Sequence, residues 1–476
     1  MTDAVSSVVR RSPATLVARL RAGAFGLAVG LADLTSPGIR YGYVHPLAGR
    51  VLRRPLATLG PVPGVRFELA SAATGRAADV RCGLFADQLD SGGIGRVLEM
   101  LAVGFGAAGI APVVVCPADG DRVQRLRDAG VEVLVMPAGQ PIGAALRNAG
   151  LDAVQVHSAP RHLVAAALAL GVPVVPVLHN TEIHYDEAMW RETAALFDRA
   201  AAVVAVSDVV RQFHAQRLPR RLADKIVVVA NGSMPVRPMA DGTRDRARLA
   251  LAETLGVDLE GEVVVVCLAR YDSQKNIAAT VAAFLSAAAH DERMRLVVAG
   301  EPSDWLEYRR ADAIRRLHPH GDRVHLLGIC DAASVLVASD AFVLDSFFEG
   351  WPLAATEAVA AGLPVVLSDT GGAAELVDRA VRGSALIPNP TGPADRVTDR
   401  VVRAARRRAT HQPNAGVLAA ALSAAVDTAR RLGPARPPLD GGFDGMVAGH
   451  AGVVRAAIEH RRDAGAVARP SGDAAR

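Results

Sequence analysis

Lysine is nearly absent from this chain. Lys225 and Lys275 are the only two among 53 basic residues, so a lysine here is no background residue. Aromatics are scarce at 4%, although half the residues are apolar, and the hydrophobic surface therefore comes from Ala, Val and Leu. That balance argues against an aromatic-rich sandwich or a disordered chain and for buried parallel strands under Ala-rich helices. An excess of one charge is missing too. The 53 basic residues face 49 acidic ones, and no basic block interleaved with aromatics appears, which argues against nucleic acid as a partner.

Cysteine is equally sparse. Cys82, Cys116, Cys267 and Cys330 are far apart, form no CxxC and each lie in or beside an apolar run. Free buried thiols in a reducing cytoplasm are expected, rather than disulfides or a zinc site. No uninterrupted membrane span is present. The longest uncharged run, "MLAVGFGAAGIAPVVVCPA" from Met100, is broken by Gly and Pro into helix, turn and strand. The early "AGAFGLAVGLA" is short and has no convincing cleavage site, so no secretory signal is expected.

What is present is a rhythm. From Ala78 onward, Val-rich runs alternate with helix-length segments: "VRCGLFA", "APVVVC", "VEVLVM", "DAVQVH", "PVVPVLH", "AAVVAVS" and "KIVVVANG". A charged, Pro- and Gly-bearing passage with one expected helix follows. The rhythm then restarts with "EVVVVCLAR", "MRLVVAG", "RVHLLG", "AFVLD", "PVVLSD" and "SALIP". Continuous apolar runs separated by helices mark parallel sheets covered on both faces. The expectation is an α/β chain with two Rossmann-like domains, at 78–235 and 262–440, joined by a passage at 236–261. A closing helix at 441–468 and a disordered tail at 469–476 complete the division. Ligands of such sheets bind beyond the carboxyl ends of the strands, so the chemistry belongs in the cleft between the domains.

Residues 1–77 stand outside the rhythm and carry Arg10, Arg11, Arg19, Arg21, Arg40, Arg50, Arg53 and Arg54 with few acids. A helical extension packed on the core is the favoured reading. The alternative is a basic, apolar arm making peripheral contact with the inner face of a membrane.

In "DSFFEGWPLAATEAVAAGLPVVLSD", two carboxylates, Glu349 and Glu357, interrupt an otherwise core-like stretch. A buried carboxylate without partners costs several kcal/mol, so each must meet solvent, a protein donor or a hydroxyl-rich ligand. Glu349 falls in a loop at a strand end and Glu357 within the next helix, so they address different parts of one extended ligand. The start of that helix suits a phosphate.

This strand, Glu-Gly loop and helix resemble the retaining glycosyltransferases of family 4, in which a Glu, seven residues and a second Glu form the donor site. "LARYDSQKN", "LVVAGE", "VHLLGIC", "LDSGGIGRVLEML", "VLHNTE", "AVVAVSD" and "VVVANG" follow in the family's order, from about Val80 to Ala404. The resemblance implies the GT-B arrangement of two domains and a nucleotide-diphosphate sugar as donor, with no cofactor and no metal. It implies that Arg270 and Lys275 hold the donor diphosphate and Glu349 the sugar hydroxyls, while Glu357 binds the ribose. It places His179 near the transferred sugar. Gly300, Gly350, Trp351, Pro352, Leu353, Thr370, Gly371 and Gly372 are assigned to the donor site in the same way.

Other features keep two readings. Gly92, Gly93 and Gly95 make a tight strand-to-helix turn, to which the resemblance adds close approach of backbone N–H groups to diphosphate or acceptor. "HNTEIH" offers His179, Glu182 and His184 as metal ligands, but no third partner has the expected spacing. Asp119 and Asp121, in "DGD", are expected to form a turn and an N-cap rather than a metal site. Asp345-Ser346 replaces a Pro-Ser common in the family, which leaves donor choice open. The expected activity is hexose transfer to an unidentified acceptor, with a cell-envelope lipid or polysaccharide as the candidate. The rivals are a nucleotide-sugar epimerase or hydrolase on the same fold, and a non-catalytic sugar-nucleotide-binding subunit.

Overall fold

Each Val-rich run becomes a strand in the computed structural model, which describes residues 30–32, 34–35, 39–65, 78–87, 89–90, 92–234, 242–433 and 439–467. Strands β1 (Val80–Ala86), β2 (Ile110–Cys116), β3 (Glu132–Val135), β4 (Ala153–His157), β5 (Val174–Leu178), β6 (Val203–Ala205) and β7 (Ile226–Val228) form one sheet. Its order is β3-β2-β1-β4-β5-β6-β7. The second sheet contains β8 (Val263–Leu268), β9 (Met294–Ala299), β10 (Val324–Leu327), β11 (Ala341–Leu344), β12 (Val365–Ser368) and β13 (Ala385–Ile387), in the order β10-β9-β8-β11-β12-β13. Both sheets are parallel, for example with Val80 opposite Ile110 and Val263 opposite Met294. Helices cover both faces, so the interior strands are buried along almost their whole length, which is why they read as unbroken apolar runs. In each sheet the strand order reverses beside the first strand, the place where such sheets open a crevice.

The chain crosses between these sheets more than once. After β7, the helix Thr243–Leu255 packs on the second sheet through buried Ala247 and Leu251. Its Arg244 and Arg248 grip Asp340 at 2.6 and 3.0 Å. The last helix, Phe443–Val467, returns to the first sheet, where Met446, Val454 and Ile458 share a core with Leu98, Leu101 and Val114.

The described part of the N-terminal extension packs on the second domain. A π-helical turn, Arg40–Val44, leads into the helix His45–Leu52, which lies against the helix Trp305–Leu317. The strap that follows is tied by the N–H groups of Gly328 and Asp331, which donate to the carbonyls of Ala57 and Leu59 at 2.8 Å. Arg40 is fully buried against Asp399 at 3.1 Å, and Arg54 pairs with Asp312 at 3.0 Å. Arg10, Arg11, Arg19, Arg21 and the tail from 469 lie outside the described residues.

Candidate active site

A cleft of about 750 Å³ opens between the two sheets at their carboxyl ends, with walls from both domains. The loop after β8 supplies Arg270 and Lys275, and the loop after β11 supplies Glu349. Lys275 extends its Nζ to 2.6 Å from Glu349 Oε1, which also accepts a hydrogen bond from Ser346 Oγ at 2.6 Å. Gln274 Nε2 donates to the other carboxylate oxygen at 3.1 Å. The carboxylate is thus buried but fully partnered, which removes the desolvation difficulty its surroundings posed.

The position of Lys275 is fixed from below. The next residue, Asn276, has φ +51° and opens the helix Ile277–Ala288. Its side-chain amide donates to Asp345 at 2.8 Å, and Asn414 donates to the other oxygen of Asp345 at 2.9 Å. Burial pushes the Asp345 carboxyl up to about 8 despite these two donors. Arg270 is half exposed and pairs with Asp272 at 3.0 Å.

After Glu349 the chain turns through Gly350 and buried Trp351 into the helix Leu353–Ala360. No side chain caps this helix, and Leu353 and Ala354 line the cleft, so free backbone N–H groups stand at its edge. Glu357 lies one turn further in. Burial raises its pKa, opposed by Arg96 of the first domain, whose Nε is 3.8 Å from Oε1.

The domains touch here through glycine. A Cβ on Gly350 would stand 1.8 Å from the carbonyl oxygen of His179, and one on Gly93 would stand 3.2 Å from Leu353. His179 directly follows β5 and lines the cleft, and burial lowers its pKa to about 4.

Most of the residues singled out in the sequence therefore meet in one place. Arg270, Lys275, Glu349, Gly350, Trp351, Pro352, Leu353, Glu357, Gly300, His179, Gly92 and Gly93 all line the cleft. Four others stand behind its wall. Thr370 accepts a hydrogen bond from the N–H of Glu349 at 3.1 Å, Gly371 sits against Gly350, and Gly372 lies under the Trp351 ring. Gly95 is enclosed within the helix Gly92–Gly104 against the carbonyl of Leu89. These four shape the loops rather than face a ligand.

One smaller expectation needs correction. Asp119 makes the turn, accepting from the N–H of Gly120 and pairing with Arg127, but neither aspartate of "DGD" caps the helix. Asp90 does so from another loop, accepting from the N–H of Arg122 at 2.7 Å. The "HNTEIH" side chains diverge, for His179 bonds His157 while His184 turns to Asp399 at 3.5 Å. Sequence reasoning missed Arg96, Asn180, Asn231 and Gln274 on the cleft wall. Asn180 and Asn231 follow strand ends, and the rule that loops at the carboxyl ends carry the site would have found them.

A glycosyltransferase family 4 model matches residues 91–233, and a glycosyl transferases group 1 model matches residues 262–404, together more than half of the chain. The chain belongs to the family 4 glycosyltransferases. Spore coat protein SA of Bacillus subtilis is 26% identical over 274 residues, covering 55% of this chain and 71% of that protein. Glycogen synthase of Mycobacterium tuberculosis is 28% identical, covering 62% and 79%. Among solved structures, Anabaena HepE in complex with UDP and glucose superposes with a TM-score of 0.54 at 19% identity, covering 74% of this chain and 99% of that one. The catalytic domain of starch synthase IV from Arabidopsis thaliana, bound to ADP and acarbose, gives 0.55 at 14% identity, with 80% and 99% covered. At these identities the structural likeness is one of fold, and the fold of this glycosyltransferase is GT-B.

Proposed function

We propose that this enzyme is a retaining glycosyltransferase that moves a hexose from a nucleotide-diphosphate sugar to an acceptor at the cell envelope, either a lipid-linked sugar or a polysaccharide. The observation that carries this reading is the Lys275–Glu349 pair, 2.6 Å apart, on the wall of an interdomain cleft that also holds Arg270 and Glu357. Glu349 receives hydroxyls of the transferred sugar and Glu357 those of the ribose. Arg270, Lys275 and the free amides at Leu353 hold the diphosphate. Its negative charge grows as the bond to the anomeric carbon breaks, so these groups bind the transition state more strongly than the ground state. The positive charge comes from side chains, and the enzyme needs no resident metal.

No side chain is assigned as a nucleophile, which favours displacement on one face of the sugar through an oxocarbenium-like state. The anomeric carbon loses its bond to the diphosphate oxygen and gains one to the acceptor oxygen, whose proton passes to the departing diphosphate. UDP in the HepE complex and ADP in the starch synthase complex make UDP- and ADP-sugars the first donors to try. A membrane-side acceptor accords with the exposed apolar residues Tyr43, Leu47 and Val51 on the N-terminal segment, although no described helix is long and apolar enough to cross a membrane.

A thermal-shift panel of UDP-, ADP- and GDP-sugars at millimolar concentration, with and without EDTA, tests the site. Saturation at 100 times Kd adds about 2.7 kcal/mol of apparent stability. A shift confined to one nucleotide class, unchanged by EDTA, is expected. The absence of a shift with every donor would overturn the assignment.

A further inference from the structure

From His157, which lines the first-domain wall of the cleft beside His179, a run of buried polar side chains that the proposed reaction does not use leads inward. His157 ends β4, and its Nδ1 is 3.0 Å from Nε2 of His179. Its own Nε2 is 3.3 Å from Oε1 of Gln155, two residues back and on the same face of the strand. That oxygen is also 3.2 Å from Nδ1 of His450, on the last helix. Gln155, His157 and His450 are fully buried. Apolar side chains would fill these positions without the cost of desolvation, so three buried polar groups in line with His179 call for a purpose.

The protons along this chain can be assigned. The Gln155 amide turns its Oε1 to both rings and leaves its Nε2 buried without a partner, and in that orientation Oε1 takes hydrogens from Nε2 of His157 and Nδ1 of His450. Burial lowers the pKa of His157 well below its ordinary value, that of His179 to about 4 and that of His450 to about 3, so all three rings are neutral near pH 7. A neutral ring carries one hydrogen, which leaves His157 Nδ1 as an acceptor. His179 must then donate from Nε2, and its Nδ1 keeps a lone pair. Among the described residues that Nδ1 has no hydrogen-bond partner, and His179 lines the cleft.

We propose that Gln155 and His157 are positioning residues that hold His179 as its Nε2–H tautomer, so that its Nδ1 offers a hydrogen-bond acceptor to a hydroxyl of the bound sugar or acceptor. His450 steadies the Gln155 amide from the last helix. The proposal rests on the cleft being the sugar site. It also predicts a direction: turning the Gln155 amide over would reverse every proton in the chain and present a donor instead.

Histidine-selective 15N NMR on the full-length, ligand-free protein reads the tautomer directly, with the His179 signals assigned by their loss in His179→Asn. Protonated Nε2 and unprotonated Nδ1 are expected. His157→Asn keeps an acceptor oxygen where Nδ1 stands, whereas His157→Leu, of similar shape, does not. The Asn variant should retain the tautomer and the Leu variant should lose it to a mixture. With a donor found by thermal shift, His157→Leu should lower kcat about tenfold, the loss of one hydrogen bond, with donor KM changed by less than about twofold. His157→Asn should recover most of that loss. An Nδ1–H tautomer in the wild-type protein, an unchanged tautomer in His157→Leu, or equal kcat losses in both variants would each overturn the proposal. The spectrum needs no substrate, so inactivity with every donor would count against the glycosyltransferase reading and leave the relay decided by NMR alone.

Discussion

Lys275 serves two purposes that a single substitution cannot separate. It neutralises Glu349, whose side chain is only 6% exposed, and it brings a cation into the cleft. Removing one partner of a buried pair leaves the other charged and alone, at a cost of about 3 kcal/mol or more. Lys275→Ala should therefore lower both the urea midpoint and turnover. Lys275→Ala combined with Glu349→Gln removes the stranded charge and should regain most of the lost stability while turnover stays low. If turnover returned with stability, neither the Lys275 cation nor the Glu349 charge would be needed for the reaction. Both residues were legible in the sequence, Lys275 because lysine is so rare and Glu349 because a carboxylate broke an apolar stretch. Their pairing was not. They are 74 residues apart, and only the parallel pairing of β8 with β11 brings their loops together.

At the scale of elements, the strands were readable because both faces of each interior strand are buried, which writes the sheet into the sequence as unbroken apolar runs. The same feature hid the histidine relay. Gln155 and His157 sit inside "DAVQVH", where two polar residues in a strand look like an ordinary exposed face. Helix caps were less legible because the capping group need not be local: Asp90 caps a helix that begins at Asp121. The contact between elements that matters most to the cleft is the loop at Gly350, which lies on the carbonyl of His179. A methyl group there would stand 1.8 Å from that oxygen, so Gly350→Ala must push the β11 loop away from the first domain. Each domain core is untouched, so the thermal midpoint should change little. Turnover should fall by at least about 100-fold, the cost of misplacing reacting groups by about 1 Å. An Ala variant with wild-type kcat would show that this close approach is not needed for reaction.

For the whole molecule, the N-terminal segment raises a question that the two-domain frame does not answer. It packs on the second domain through Ala48 and Arg40, yet turns Tyr43, Leu47 and Val51 outward at four-residue spacing, 75%, 61% and 72% exposed. Arg50 and Arg53 flank this stripe, and the sequence has no acidic residue from 39 to 65. A stripe of this kind, apolar with basic edges, suits the surface of an anionic bilayer. The segment also reaches the loop that carries Lys275. Tyr41 Oη is 3.2 Å from Ser273 Oγ, two residues before Lys275, and its ring meets His184 from the first domain edge-on. Docking through this stripe would hold the cleft beside the membrane, within reach of the proposed lipid-linked acceptor. Full-length protein should therefore co-sediment with vesicles containing phosphatidylglycerol, and less with phosphatidylcholine alone or in high salt. Each arginine near the surface contributes about 1 kcal/mol, so Arg50→Ser with Arg53→Ser should weaken binding roughly 30-fold. Leu47→Asp with Val51→Asp should abolish it and leave the donor-induced thermal shift intact, because neither side chain lines the cleft. Vesicle binding that ignores salt, lipid charge and all four substitutions would place the membrane contact elsewhere on the molecule and leave the stripe without this role.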